Sequence, residues 1–213
     1  MESLDELMEQ AKIAHGHLCA GQILGVRMAM LGCRRLGIDE PRGKDRKRLV
    51  TYVEIDRCAT DAIGVVTGCR LGKRALKFRD WGKMAATFVD LSTGRAIRIV
   101  ALESSKQRAR ELYPQIADRN RQQMQAYREM ADAELFGEQW VEVAMGPKEM
   151  PGFKGERVTC SACGEGINYE RFVEREDETL CLACAHPEQK YYRPAREKAT
   201  APVMAAGPRC ECG

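Results

Sequence analysis

Cys160-Ser161-Ala162-Cys163 and Cys181-Leu182-Ala183-Cys184 are the two stretches that decide the fold of the C-terminal part of this chain. Each is a Cys-x-x-Cys pair, and 17 residues separate the two pairs. Four thiolates at this spacing can close a tetrahedron around a zinc ion. Residues 171–174 and 179–180 can pair as strands around a polar turn. We therefore predict a small module held by a structural zinc at Cys160, Cys163, Cys181 and Cys184.

The size and composition of the chain allow one domain with its own core and a small satellite module, since it has 213 residues of which 44% are hydrophobic. The N-terminal stretch Met1-Glu2-Ser3-Leu4-Asp5-Glu6 is acidic, and no apolar run reaches the eighteen or so residues of a membrane span. We therefore expect a cytoplasmic protein with no membrane partner. Ten cysteines in that compartment indicate metal ligation or thiolate chemistry.

The first part of the chain predicts an α+β core domain, because stretches with helical and with strand patterns follow one another. Residues 104–136 favour a long helix that is interrupted or kinked near Pro114, because proline removes a helical hydrogen-bond donor. The predicted elements are helices over 4–14, 20–37, 61–67 and 104–136, a strand over 49–55 and a hairpin over 85–101.

The domain organisation follows from composition, since residues 146–157 have the glycine and proline content of a linker. The predicted parts are a core domain over 1–145, a linker over 146–157, a four-cysteine zinc finger over 158–187 and a mobile tail over 188–213. The tail ends in Cys210-Glu211-Cys212. These two thiols could complete a metal site in this chain or in its partner, or form a free end.

The stretch His15-Gly16-His17-Leu18-Cys19-Ala20-Gly21 places two imidazoles and one thiol between the first two predicted helices. Imidazole and thiolate are metal ligands, and these lie at loop spacing. Cys19 falls at the start of the second helix, where the positive end of the helix dipole favours a thiolate. The stretch is therefore a candidate metal-binding loop.

Three motifs, taken in order, resemble the FmdE family, which is named for the FmdE component of formylmethanofuran dehydrogenase. They are His15-Gly16-His17-Leu18-Cys19-Ala20-Gly21 with Gly25 and Arg27, Asp56-Arg57-Cys58-Ala59-Thr60-Asp61-Ala62, and Thr67-Gly68-Cys69-Arg70-Leu71-Gly72-Lys73. The resemblance runs over residues 10–145. The chain departs from the family at Ala20, where a proline is usual. The zinc module is similar to the DksA/TraR-type zinc ribbon that some members of the family carry.

The resemblance implies an intertwined homodimer with a metal site in its α+β core. A homodimer would also give a partner surface to the apolar residues of the predicted long helix, which are Leu112, Ile116, Met124, Tyr127 and Met130. The resemblance does not imply the reaction of the enzyme, because the molybdenum or tungsten pterin subunits are looked to for the carbon chemistry. Formylmethanofuran dehydrogenase is one partner that it suggests, and transcription machinery is a partner suggested by the finger.

The residues expected to hold the core metal, which we expect to be zinc, are His17, Cys19 and Cys58, with His15 and Cys69 as possible further ligands. A His-rich loop and a cysteine at the C-terminal end of a strand can meet in a mixed α and β fold. Two alternatives stay open. His15 could instead end a helix, and Cys69 could be a small buried apolar residue.

Gly68, Gly72 and Lys73 form a loop that could offer backbone amides and one ammonium to an anion, and Arg27 could close the same pocket. The alternatives are a tight turn after a helix and a solvated arginine. Basic residues are concentrated in 42–48 and again in 70–79, so a nucleic-acid surface is possible, although charge runs are usually solvated.

Two functions are consistent with these features. The first is a cytoplasmic metal-binding homodimer whose core site binds a small anionic ligand, linked by resemblance to formylmethanofuran or molybdopterin-dependent one-carbon metabolism. The second is a metal-sensing or regulatory adaptor that uses its zinc finger to bind protein or nucleic acid. Neither the residues nor the resemblance assigns a reaction.

Overall fold

The computed structural model of the chain describes residues 1–194. The chain divides into two compact units, Met1–Gly152 and a second unit that begins at Phe153. Both combine helices and strands, which confirms the mixed fold expected from the sequence. The expected tail thiols, Cys210 and Cys212, lie outside the described residues.

The first unit contains six α-helices and five strands. The helices are α1 Leu4–His15, α2 Ala20–Leu36, α3 Cys58–Thr67, α4 Ser104–Leu112, α5 Arg119–Glu129 and α6 Asp132–Leu135. The strands are β1 Leu49–Val53, β2 Leu76–Phe78, β3 Ala85–Asp90, β4 Ala96–Ala101 and β5 Phe136–Val141. None of the helices in residues 1–194 is both long and apolar enough to cross a membrane.

The five strands form one sheet in the order β2-β1-β3-β4-β5. β1 and β2 run parallel, and the other neighbouring strands are antiparallel. The predicted hairpin is confirmed as β3 and β4, with Phe88 opposite Ile97. Both side chains are fully buried, so one face of this sheet carries the core.

Helix α2 lies at the centre of the core. It packs against α1, α3 and α5 and against β3 and β4. Ile23, Val26, Met28 and Leu31 are fully buried, as expected for a helix that is apolar on most of its circumference. A methyl group on Gly32 would overlap the ring of Phe88. The helix therefore packs directly on the central strand of the sheet.

The segment expected to form a long helix is divided into three helices. Helix α4 ends at Leu112, just before Pro114, which confirms the expected interruption. A new N-terminus follows, because the carboxylate of Asp118 accepts a hydrogen bond from the backbone N–H of Arg121 at 2.7 Å. The chain then leaves the helix again at Met130, whose backbone has φ −56° and ψ 145°.

The last strand of this sheet starts earlier than the sequence suggested. Phe136 and Gly137 belong to β5 and do not end a helix, and the short strand expected over 141–143 lies at Phe136–Val141. Pairing with β4 sets these limits, since Phe136 lies opposite Ala101 and Val141 lies opposite Ala96. Strand partners distant in sequence overrode the local helical propensity here.

Asp90, at the end of β3, is a fully buried carboxylate. Burial by itself would raise the pKa of this carboxyl group, but hydrogen bonds from Arg48, Ser92 and Thr93 outweigh that effect and hold the pKa well below its usual range. Arg48 also bonds to Asp45 at 2.9 Å. This network joins the end of β3 to the loop before β1.

The second unit is small and is built around a hairpin. Its elements are β6 Val158–Thr159, β7 Gly166–Ile167, β8 Phe172–Arg175, β9 Glu178–Cys181 and α7 Leu182–Ala185. Phe172 pairs with Cys181 and Arg175 pairs with Glu178, which confirms the strand pairing expected between the two cysteine pairs. The buried residues are Cys160, Ile167, Leu180 and Ala185. So small a core needs a further source of stability.

Candidate metal centres

The four cysteines of the second unit come together as the sequence predicted. Cys160 and Cys163 lie in the turn between β6 and β7, Cys181 ends β9, and Cys184 lies in α7. All four sulfur atoms are within 4.8 Å of one another. Zn–S bonds of about 2.3 Å would separate the sulfurs of a tetrahedral site by about 3.8 Å, so a zinc ion fits with a small contraction.

Hydrogen bonds prepare these sulfur atoms unequally for metal binding. The backbone N–H of Cys181 donates to the sulfur of Cys160 at 3.3 Å, and this bond, with one from the backbone of Cys163, lowers the pKa of Cys160 to about 6. Hydrogen bonding to the thiol of Cys181 raises the pKa of Cys184 to about 12. Without a cation, the cluster thus holds a thiolate at Cys160 and resists further ionisation, so a divalent metal is the natural counter-ion.

The His-rich loop connects α1 to α2. His15 is the last residue of α1, and Gly16 reverses the chain with φ 95°, a conformation that favours glycine. His17 is exposed, and its ring lies 4.9 Å from that of His15 between centroids. Cys19 is buried and is the N-cap residue of α2. The backbone N–H of Ala20 donates to the side chain of Asn120 at 3.1 Å, which fixes the start of α2.

Helix α3 brings Cys58 to this loop through a very close helix crossing. A Cβ on Gly25 would lie 2.5 Å from the carbonyl oxygen of Ala59, so α2 and α3 meet backbone against backbone. A Cβ on Gly21 would lie 3.6 Å from the Cβ of Cys58 and 3.8 Å from the sulfur of Cys19. The two cysteines therefore lie on either side of Gly21.

His15 is held by a residue that sequence reasoning did not select as a site residue. Its Nδ1 lies 2.8 Å from a carboxylate oxygen of Asp61, one turn along α3 from Cys58. The spacing of Cys58 and Asp61 on a predicted helix was a visible signal, but their approach to His15 depends on the helix crossing. This contact leaves Nε2 as the other nitrogen of the His15 ring.

The predicted core ligands are neighbours and do not form a closed cage. Within residues 1–194, the four-cysteine cluster is the group in which three or more His, Cys, Asp or Glu ligand atoms approach within 4.8 Å. His17, Cys19 and Cys58 do not reach that separation. A metal ion there would have to draw the exposed ring of His17 inward.

Cys69 lies away from this cluster, in the core beyond the other end of α3. Its sulfur is 3.5 Å from the hydroxyl of Thr51 and 3.5 Å from the carbonyl oxygen of Leu49. Burial raises the pKa of its thiol. Helix α3 has 10 residues, which span about 15 Å, so Cys69 is not brought to Cys58.

Arg27 is also placed differently from the expected anion pocket. Its guanidinium donates to the carbonyl oxygens of Tyr127 and Met130 at 2.8 and 2.6 Å and to the carboxylate of Asp132 at 2.7 Å. It therefore binds the C-terminal end of α5 and ties α2 to α6. Its donors satisfy carbonyl groups that the end of a helix leaves without partners.

The loop after α3 is divided in its surroundings. Gly68 adopts φ 69° as the residue that ends α3, which agrees with the tight-turn alternative. Gly68 and Lys73 both line a cavity of about 720 Å³. Gly72 does not line it and has open space around its Cα. Two of the three residues expected to face an anion thus share a concave surface.

Comparisons with known proteins agree with this architecture. The family described as "FmdE, Molybdenum formylmethanofuran dehydrogenase operon" matches residues 14–142, and the "Prokaryotic dksA/traR C4-type zinc finger" matches residues 155–190. Both families expected from the sequence are confirmed.

One curated relative and one solved structure add to these matches. A protein of Archaeoglobus fulgidus, described as a probable S-adenosyl-L-methionine-binding protein, is 30% identical over 207 residues, covering 85% of this chain and 53% of the relative. The chain thus spans about half of that relative. An FmdE-like protein from Syntrophus aciditrophicus has a TM-score of 0.61 at 23% identity, covering 89% of this chain and 95% of the other, which shows the fold alone. The chain therefore belongs to the FmdE family and carries a C-terminal zinc finger of the four-cysteine dksA/traR type.

Proposed function

We propose that the protein binds a second metal ion, zinc, where the α1–α2 loop meets the start of α3, and that this ion takes a small anionic ligand. The observation that supports the proposal most is the placement of Cys19 and Cys58 on either side of Gly21. His17 lies two residues before Cys19 on an exposed loop. One imidazole and two thiolates form a ligand set typical of zinc sites that keep a fourth position open.

His15 and Asp61 support the same site. A carboxylate that holds one ring nitrogen of a histidine orients the ring and strengthens the other nitrogen as a ligand. The 2.8 Å contact between Asp61 and Nδ1 of His15 has this arrangement. His15 would therefore present Nε2 to the ion, or steady His17, whose ring packs beside it.

Electrostatics at this position favour thiolates and anions. Cys19 precedes the first residue of α2, and Cys58 is the first residue of α3. Two helix N-termini thus converge, each carrying roughly half a positive charge. A carboxylate or thiolate at the open metal position would be stabilised by both dipoles as well as by the ion.

The ligand class is open to one specific first choice. The A. fulgidus relative is described as a probable S-adenosyl-L-methionine-binding protein. The α-carboxylate of S-adenosyl-L-methionine is a small anionic group that the open position could bind. We propose that this site operates in a cytoplasmic homodimer linked, as the family description suggests, to molybdenum formylmethanofuran dehydrogenase.

Metal analysis of His17→Ala tests the core site. We expect two zinc equivalents per chain in the unaltered protein and close to one in this variant, with the four-cysteine zinc retained. His186→Ala is the matched control, since His186 lies in the second unit beside Glu188 and should retain both ions. A single zinc equivalent in the unaltered protein, or two in His17→Ala, contradicts the proposal.

A second candidate function is that of a regulatory adaptor whose finger binds protein or nucleic acid. The supporting observation is the set of large apolar side chains exposed on the second unit, which are Tyr169, Leu182, Tyr191 and Tyr192. Exposed aromatic side chains are common contacts for bases and for partner proteins. Binding of RNA polymerase or a labelled oligonucleotide that Cys163→Ser abolishes, while His17→Ala preserves it, would favour this function.

A further inference from the structure

A second concave surface lies beyond the end of α3 opposite to the His and Cys cluster. This cavity of about 720 Å³ is lined by five basic residues, Arg42, Arg46, Lys47, Arg70 and Lys73, and by no acidic residue among those that the structure describes. Its volume is in the range of small-molecule sites, about 300–1,000 Å³. The basic residues come from two stretches of sequence that meet only in the fold.

Most of these cations have no protein partner. Arg42 is paired with Glu2 and bonds to Gln10 at 2.6 Å. By contrast, the side chains of Arg46, Lys47, Arg70 and Lys73 make no ion pair or hydrogen bond with any residue in the range 1–194. Like charges gathered around one cavity repel one another, so an anion that enters it lowers the electrostatic free energy.

The end of α3 opposes this effect only weakly. Gly68 lines the cavity at the C-terminus of α3, where a helix carries about half a negative charge. Four unpaired cations exceed that charge several-fold. The nearby carboxylates of Asp45 and Asp90 are occupied by Arg48 and do not line the cavity.

The floor of the cavity is apolar. Leu49, Ala75 and Leu91 line it together with Pro41 and Pro151. An apolar floor beneath a basic rim suits a ligand with a polyanionic group and a flat apolar part. Arginine favours phosphate in particular, because its planar guanidinium can bond to two phosphate oxygens at once.

We propose that this cavity binds a phosphorylated small molecule of nucleotide size, with its phosphates on Arg70, Lys73, Arg46 and Lys47 and its apolar part over Leu49 and Leu91. This site is separate from the core metal site, since the about 15 Å length of α3 lies between them. The inference therefore stands or falls independently of the proposed metal function.

Calorimetric titration of the full chain, with zinc bound, tests the proposal with ATP and with pyrophosphate as probes. We expect saturable binding of ATP, tighter than that of pyrophosphate because only ATP uses the apolar floor. The double variant Arg70→Ala/Lys73→Ala should weaken the Kd for ATP by about tenfold or more, since two charge-assisted contacts are lost.

The matched control removes the same charge elsewhere. Arg110→Ala/Arg128→Ala alters two exposed arginines of α4 and α5, helices that contribute nothing to the cavity lining. It should change the Kd by less than about twofold, because distant surface charges are screened. Far-UV circular dichroism confirms that both variants are folded.

Three outcomes would overturn the inference. The first is no saturable ATP binding at millimolar concentration. The second is an equal loss of affinity in both double variants, which would indicate non-specific attraction. The third is a short oligonucleotide that binds far more tightly than ATP and depends on Arg70 and Lys73, which would make the surface a nucleic-acid site.

Discussion

A methyl group on Gly25 would lie 2.5 Å from the carbonyl oxygen of Ala59, so the backbones of α2 and α3 are in direct contact at this point. The crossing lies next to Cys58 in α3 and less than two turns from Cys19 in α2. It therefore sets the separation of the two proposed thiolate ligands. Its close approach is possible only because residue 25 has no side chain.

Gly25→Ala should destabilise the first unit. Added volume in a tight helix crossing costs about 1–3 kcal/mol, and the better helix propensity of alanine offsets up to about 1 kcal/mol of that. We therefore expect a lower urea midpoint, followed by tryptophan fluorescence, and a lower content of the proposed core metal. Trp81 and Trp140 are the two tryptophans of the chain, and both lie in the first unit, so this signal reports on it alone.

Gly64→Ala is the matched control for this change. Gly64 is also inside a helix, but a Cβ there would meet the carbonyl oxygen of Cys69 at an ordinary 3.4 Å. Alanine should be neutral or stabilising by up to about 1 kcal/mol at this position. Equal destabilisation by both substitutions would mean that the crossing at Gly25 is not tight.

Cys163→Ser should remove the structural zinc and unfold the second unit. Much of the stability of so small a module comes from metal binding, because its own core is a few residues. We expect the loss of one zinc equivalent by elemental analysis and no change in the tryptophan-detected unfolding of the first unit. Cys33→Ala, which removes a buried core thiol, should keep the zinc. Full zinc content in Cys163→Ser would refute the assignment.

Asp90→Asn should destabilise the first unit in a pH-dependent way. The pKa of Asp90 is depressed in the folded protein, so its stabilisation is fully present above its unfolded pKa of about 3.9 and is lost as the pH falls through the lower folded value. Breaking its buried pair with Arg48 should cost about 3 kcal/mol at neutral pH. Urea unfolding should show this difference shrinking as the pH falls below about 4.

Asp5→Asn provides the reference for that experiment. Asp5 is exposed in the first turn of α1, where one charge contributes less than about 1 kcal/mol. Its free energy of unfolding should remain close to that of the unaltered protein at every pH. A constant difference between Asp90→Asn and the unaltered protein down to the lowest pH would contradict the buried-pair explanation.

The proposed homodimer should have twice the chain mass of 23.9 kDa in light scattering at low micromolar concentration. Two of the residues expected at a dimer surface, Tyr127 and Met130, are buried within their own chain and do not support it. Trp140 supports it instead, because it is 52% exposed on β5, a strand at the edge of the sheet. A monomeric mass would count against the dimer.

The residues with local partners were the ones that the sequence predicted well. The capping box of Ser3 and Glu6 depends on contacts three residues apart and is present at 2.9 and 3.3 Å. The hairpin of β3 and β4 depends on one turn. The helix expected over 104–136 was less accurate in its limits, because the pairing of β5 with β4 involves residues far apart in the chain.

The sequence by itself determined the four-cysteine zinc finger, because its ligands lie in two short turns that one hairpin brings together. It also determined family membership, since the three motifs keep their order. Only the tertiary structure decided the rest. Arg27 binds carbonyl groups about a hundred positions away, His15 meets Asp61 through a helix crossing, and Arg46 joins Lys73 around one cavity. Spacing along a chain encodes neighbours within an element, whereas contacts between elements depend on how their faces pack.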